Sequence, residues 1–195
     1  MLRKVFTRLS LWLVMFALFG TARAQNPEVP IATQYVLFLK IFAYDHALAD
    51  GPGEDITIGV LYQPRYRASR SAEEEFRRIY RDTRPPSSIK NRRVRVVGLE
   101  LGEGGDIREL LEANDVDLLY VTPLRSFEVR DIRRASRSLG IVTFTGVPEY
   151  VEQGLAVGLD LMGGKPKILI NAAAATAEGA TFSGQLLQLA RIVKS

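Results

Sequence analysis

The stretch Ile56-Thr57-Ile58-Gly59-Val60-Leu61-Tyr62 decides the fold. It is uncharged and rich in β-branched residues, the composition of a strand buried on both faces. Further strands are read at residues 93–101, 116–121 and 141–145, and each is separated from the last by a helical segment. Ser71 and Glu74 read as a capping box opening a helix that reaches about Asp82 and buries Phe76, Ile79 and Tyr80. Pro85, Pro86, Ser87 and Ser88 break it. The turn from Gly102 to Gly105 leads into a helix beginning near Asp106, and a third helix is expected over residues 124–139, stopped by Gly140. Buried strands alternating with helices require a parallel, right-handed α/β arrangement.

Beyond Gly146 the pattern changes. Residues 155–162 and 165–170 flank Gly163-Gly164 and read as an antiparallel hairpin rather than another crossover. Residues 171–179 are small and alanine-rich, and residues 182–194 read as an amphipathic closing helix with Leu186, Leu187, Ala190 and Val193 on one side. The fold class expected is α/β: a single-domain, mostly parallel twisted sheet flanked by helices, with a C-terminal antiparallel hairpin and a closing helix. There is no internal repeat and no domain-scale linker.

Upstream, residues 31–47 form a dense apolar helix. Tyr35, Phe38, Leu39 and Phe42 make one stripe, yet Val36, Leu37, Ile41 and Tyr44 populate the other faces. Either the helix is buried between the sheet and a neighbour, or one side is a homodimer or partner interface, for which Val36 and Leu37 are the candidates.

The amino terminus has the grammar of an export signal. Arg3, Lys4 and Arg8 precede an apolar segment over residues 9–20, and Ala22-Arg23-Ala24 supplies an A-x-A cleavage site. The apolar segment is shorter than the roughly twenty residues of a spanning helix, so the expectation is a signal peptide over 1–24, a mature domain over 25–195, periplasmic location and no membrane insertion after cleavage. The whole chain has 26 Lys and Arg against 22 Asp and Glu. Four of the bases (Arg3, Lys4, Arg8, Arg23) and none of the acids fall in residues 1–24, so the mature charge balances. A neutral exported domain gives no electrostatic case for nucleic acid. The chain has no cysteine, which excludes disulfides, thiol switching and thiolate metal sites.

Few residues suggest chemistry. His46 is the only histidine and lacks the companions of a metal site or a catalytic triad. Gly102-Glu103-Gly104-Gly105 lacks the third glycine of a dinucleotide fingerprint, and Pro166 stands where a phosphate loop over residues 158–165 would need Ser or Thr. Asp115, Asp117 and Asp160 read as turn or solvent residues, since no spacing makes carboxylates converge. No enzyme activity, cofactor or metal is expected. Arginine is the compositional oddity: Arg65, Arg67, Arg70, Arg77, Arg78, Arg81, Arg84, Arg92, Arg93 and Arg95 crowd one third of the chain, among Tyr62, Tyr66 and Tyr80. Spacing pairs Glu73 with Arg77 and Glu74 with Arg78, which describes a solvated face. The alternative is a docking patch around Arg77 and Arg78 for an acidic partner.

The run Gly146-Val147-Pro148-Glu149-Tyr150-Val151-Glu152-Gln153-Gly154, the strand ending Lys167-Ile168-Leu169-Ile170-Asn171-Ala172-Ala173, and the segment from Ser183 to Val193 together resemble the YfiR/HmsC family of periplasmic proteins. Phe42 to Asp45 also sits where that family closes its first helix. The resemblance implies a repressor that binds the periplasmic sensing part of an inner-membrane signalling enzyme, a diguanylate cyclase or a sensor kinase, and so lowers cyclic di-GMP and biofilm formation. It brings no catalytic residue. Cysteines found in characterised members are missing, the aromatic-proline ending of the first helix is replaced by Tyr44-Asp45, and the arginine-rich segment is unlike the family pattern. The alternative function is a periplasmic small-molecule-binding module. Ligands in open α/β sheets sit beyond the carboxyl ends of the strands, here near Tyr62, Gly104, Thr122 and Thr145.

Overall fold

A computed structural model describes residues 29–49, 51, 53–85, 87–102, 104–125 and 129–194. The export segment expected over 1–24 lies outside them. In chain order the elements are α1 (Ile31–Phe42), α2 (His46–Ala49), β1 (Asp55–Tyr62), α3 (Arg67–Asp82), β2 (Ser88–Ile89), β3 (Arg92–Glu100), α4 (Ile107–Ala113) and β4 (Leu118–Val121). There follow α5 (Val129–Leu139), β5 (Val142–Thr145), α6 (Pro148–Glu152), β6 (Val157–Met162), β7 (Lys165–Asn171), α7 (Ala172–Ala177), α8 (Gly184–Leu189) and β8 (Arg191–Val193).

One sheet runs in the order β2-β3-β1-β4-β5-β6-β7-β8. The five strands from β3 through β1, β4 and β5 to β6 pair in parallel, whereas β2 against β3 and β7 against β6 are antiparallel. Alternation along each strand splits the core into two layers. In β4, Leu118 and Tyr120 face a layer made by α1, α3, α7 and Leu186 of α8, while Leu119 and Val121 face one made by α4, α5 and Tyr150 of α6. Rings dominate the first layer: Phe144 lies 4.6 Å from Phe38, 5.1 Å from Phe42 and 5.2 Å from Tyr120, centroid to centroid. Each such ring removes a large apolar area from water and adds an edge or face contact.

Several expectations change in detail. Helix α1 ends at Phe42, and α2 follows a turn in which the Tyr44 carbonyl accepts from Ser183 N–H at 3.0 Å. Its buried stripe is Ile31, Gln34, Tyr35, Phe38, Ile41 and Phe42, and it packs between the sheet, through Phe38 on Phe144, and the neighbouring helix α3, through Tyr35 on Phe76, as the first of the two expectations had it. The helix after β1 starts at Arg67, not at Ser71, which is an exposed interior residue; the turn from Gln63 through Tyr66 sets the start. The third expected helix is α5, Val129–Leu139, and Leu124 and Arg125 are not helical. A short helix, α6, occupies Pro148–Glu152, with proline in its first turn where no N–H is needed.

The carboxyl terminus departs most. The expected helix over 182–194 is two elements: α8 of six residues, then β8, which pairs in parallel with β7. Only Leu186 is buried, while Leu187, Ala190 and Val193 are half-buried. The apolar spacing was real. The free edge of β7 captured the last residues, because pairing there satisfies backbone groups that a frayed helix end leaves open.

Candidate functional site

In this sheet the chain leaves β1 for β3 on one side and returns past it to β4 on the other. The place where the direction of winding reverses, between the carboxyl ends of β1 and β4, is where open α/β sheets form a crevice. A cleft of about 1160 Å³ opens there. Its walls come from four separate segments: the turn after β1 (Gln63, Pro64, Arg65, Tyr66), the end of β3 with its glycine turn (Glu100 to Gly102, Gly104, Gly105), the start of α4 (Asp106 to Arg108), and Arg125 with α5 (Asp131, Arg134, Ala135, Ser138).

The cleft floor is tied together by polar groups. The Gln63 side chain donates to the Arg125 carbonyl at 3.1 Å and accepts the Arg125 N–H at 2.7 Å. Beneath it the hydroxyls of Ser69 and Thr122 meet at 2.6 Å, Ser69 Oγ accepts from Gln63 N–H at 2.8 Å, and Thr122 Oγ1 lies 2.8 Å from the Leu61 carbonyl. On the far side Tyr150 Oη accepts from Leu124 N–H at 2.8 Å, and burial raises its hydroxyl pKa. The turns after β1 and β4 are thus fixed by side chains from other segments.

The glycines leave room. A Cβ built at Gly102 or Gly104 would meet nothing within 4 Å, and Gly104 has φ of +76°, so glycine is required there for conformation rather than for space. Asp106 caps α4 by accepting the Arg108 N–H at 2.8 Å.

The structure distributes the sequence-predicted site residues unevenly. Gly104 lines the cleft. Tyr62 lies at the end of β1, its hydroxyl 3.5 Å from Glu100, and its pKa is raised by burial and by the negative charges of Glu100 and Glu73. Thr122 and Thr145 are correctly placed at strand ends but are fully buried and do not face a ligand space. Thr145 Oγ1 donates to the Val121 carbonyl at 2.9 Å and accepts from Val147 N–H at 3.1 Å, so both threonines are spent joining neighbouring strands. Sequence reasoning missed Arg108, Arg125 and Arg134. They stand on different elements, and no spacing rule could bring them together.

On the arginine-rich helix, Arg77 pairs with Glu73 at 3.0 Å as expected, whereas Arg78 reaches Asp82 at 3.8 Å and Glu74 is taken by Arg70 at 3.7 Å. Arg93 pairs with Asp55 at 2.8 Å, holding that carboxyl below its ordinary pKa through the hydrogen bond. Much of this face is internally compensated. Asp117 is not a solvent residue: it is half-buried and accepts Thr57 N–H at 2.7 Å, joining the starts of β1 and β4. His46 is exposed. Val36 is 48% exposed and Leu37 half-buried, so Val36 alone of that pair is fully available to a partner. Larger apolar exposure lies at the other end of the sheet, at Leu161, Met162, Leu189 and Ile192, where Arg191 reaches Asp160 at 3.4 Å between the hairpin and β8.

A second polar centre is wholly internal. Glu178, at the end of α7, is fully buried. Its carboxylate accepts from Ser136 Oγ at 2.8 Å, from Thr143 N–H at 2.8 Å and from Thr143 Oγ1 at 2.9 Å. Burial outweighs these donors and pushes its pKa up to about 7. It knits α5, β5 and α7 together, away from the switch-point cleft.

Among the described residues no group of three or more His, Asp or Glu side chains is placed to hold a metal ion, and no helix is long and apolar enough to cross a membrane. Comparison with solved structures finds the same α/β architecture in a conserved domain protein from Vibrio cholerae (16% identity, TM-score 0.59), an ABC domain in complex with L-Trp from Streptococcus pneumoniae (16%, 0.59) and the ligand-free, open form of a substrate binding protein with adhesive properties from Clostridium difficile (16%, 0.56). These matches cover 85%, 86% and 84% of this chain and 60%, 62% and 59% of theirs, so the chain spans about three fifths of each. At that identity they establish architecture alone. No curated protein matches in sequence. The family model described as YfiR/HmsC-like matches residues 49–191, taking in every strand of the sheet except the last two residues of β8. The chain belongs to the YfiR/HmsC-like family.

Proposed function

We propose that this protein is a periplasmic regulator that docks on the sensing domain of an inner-membrane signalling enzyme, a diguanylate cyclase, and holds it inactive, lowering cyclic di-GMP and biofilm formation. Family membership supports a periplasmic regulatory role in general and carries the reading. Docking would use apolar surface, with Val36 and Leu37 on α1 as one candidate patch, and Arg77 and Arg78 tuning encounter with an acidic partner. The domain, residues 25–195 after removal of a signal peptide over 1–24, would act as a monomer or as a homodimer built on the same apolar patch.

The test is a pull-down with the periplasmic domains of membrane signalling enzymes encoded nearby, together with cyclic di-GMP measured in a deletion strain. Capture of a cyclase and a rise in cyclic di-GMP on deletion are expected. Unchanged cyclic di-GMP and no captured cyclase would overturn the repressor reading. Amino-terminal sequencing of the exported protein should begin at Gln25.

A second reading is favoured by one observation, the cleft at the switch point of the sheet. On that reading the domain also receives a small molecule there, and the ligand is either its signal or its cargo.

A further inference from the structure

We infer that the switch-point cleft is a receptor for a small oxyanion, a carboxylate or phosphate carried on an organic ligand, with Arg125 as its principal contact and Arg65, Arg108 and Arg134 around it. This rests on the reading of the cleft as a ligand site and adds the class of ligand.

Four arginines line the cleft, and they arrive on four elements: the turn after β1, α4, the turn after β4, and α5. As on α3, local spacing compensates part of this set, since Arg108 and Arg134 each meet an acid of their own helix. The three acids of the cleft, Glu100, Asp106 and Asp131, have partners other than Arg125. Asp106 is engaged by the backbone of α4 through the Arg108 N–H, Asp131 pairs with Arg134 at 3.4 Å, and Glu100 is turned toward the Tyr62 hydroxyl. Arg108 is shared between Glu112 at 3.1 Å and Ser138 at 2.9 Å.

Arg125 differs from all of these. Its guanidinium makes no hydrogen bond or ion pair with a described residue, yet its backbone is held at both N–H and carbonyl by Gln63. A planar, permanently charged fork is therefore mounted on a fixed base at the mouth of the cleft, the arrangement that recognises carboxylate and phosphate through paired hydrogen bonds. The glycine turn opposite, with open space at Gly102 and Gly104, admits the ligand body close to backbone.

The experiment is calorimetric and thermal titration of the purified protein with inorganic phosphate, citrate and glucose. Phosphate or citrate should bind saturably and raise the melting temperature, as any ligand specific to the native state does. R125A should weaken that binding by about tenfold or more while leaving the melting temperature of the unliganded protein unchanged. R70A, on the outer face of α3, should leave binding intact. Failure of both anions to bind, or undiminished binding by R125A, would overturn the inference. Saturable binding of glucose without either anion would overturn the oxyanion class and leave the cleft as a ligand site; no binding by any of the three would count against both.

Discussion

Gln63 and Arg125 are 62 positions apart, yet the side-chain amide of one completes both backbone hydrogen bonds of the other across the switch point. The amide acts as an extra rung of sheet just beyond the last residues of β1 and β4. Q63A should therefore loosen the cleft rather than the core. A loss of about 1 kcal/mol by chemical denaturation is expected, with hydrogen exchange at the Arg125 amide accelerated more than at the amides of β4.

Glu178 makes stability depend on pH in an unusual direction. Its folded-state pKa, about 7, lies above the ordinary value of 4.5, so the native state binds the extra proton between those values. Its contribution is full below pH 4.5 and is lost as pH rises through about 7. The loss is on the order of 3 kcal/mol at most. E178Q keeps a neutral carbonyl acceptor for Thr143 and Ser136 and should flatten this slope. Denaturation midpoints from pH 4 to pH 8 that run parallel in the two proteins would contradict the assignment.

Leu186 and Leu187 test the carboxyl-terminal correction. Leu186 is 2% exposed and packs into the first core layer, so L186A should cost about 2 to 5 kcal/mol. Leu187 is only half-buried, and L187A should cost clearly less, as read from denaturant midpoints. Equal costs would restore a continuous closing helix.

Val36 tests docking without threatening the fold. V36D places a charge on the outer face of α1 and should change stability by no more than about 0.5 kcal/mol, yet weaken partner binding or self-association if α1 is the interface. Reversing Arg77 and Arg78 to Glu should matter less, and less still at high salt, because exposed charges mainly steer encounter. Binding of the partner domain measured at two salt concentrations separates these outcomes.

Much of the architecture was legible because its signals are local. The run from Ile56 to Tyr62 carries no charge at any position, as a strand covered on both faces requires, and the Gly163-Gly164 turn announced the hairpin. The motifs from Gly146 to Val193 indicated the family that the comparison then established. The capping pattern at Ser71 was misleading, because Glu74 is held by Arg70 one turn earlier in the helix interior instead of closing a box with Ser71.

What the sequence by itself determined is therefore the class of each layer: central strands β1, β4 and β5 buried on both sides, helices between strands, no thiol chemistry, and a resemblance carried by short ordered motifs, whereas β3, expected to be buried as well, is largely open to solvent. Tertiary structure decided what depends on residues distant in the chain. The edge of β7 turned the last residues into β8, Thr122 and Thr145 were drawn inward to join neighbouring strands, and Arg65, Arg108, Arg125 and Arg134 met at one cleft. The physical reason is that periodicity reports which face a side chain takes, whereas strand order decides whose loops adjoin. That order, with β1 between β3 and β4, is set by the whole sheet and by no one segment of it.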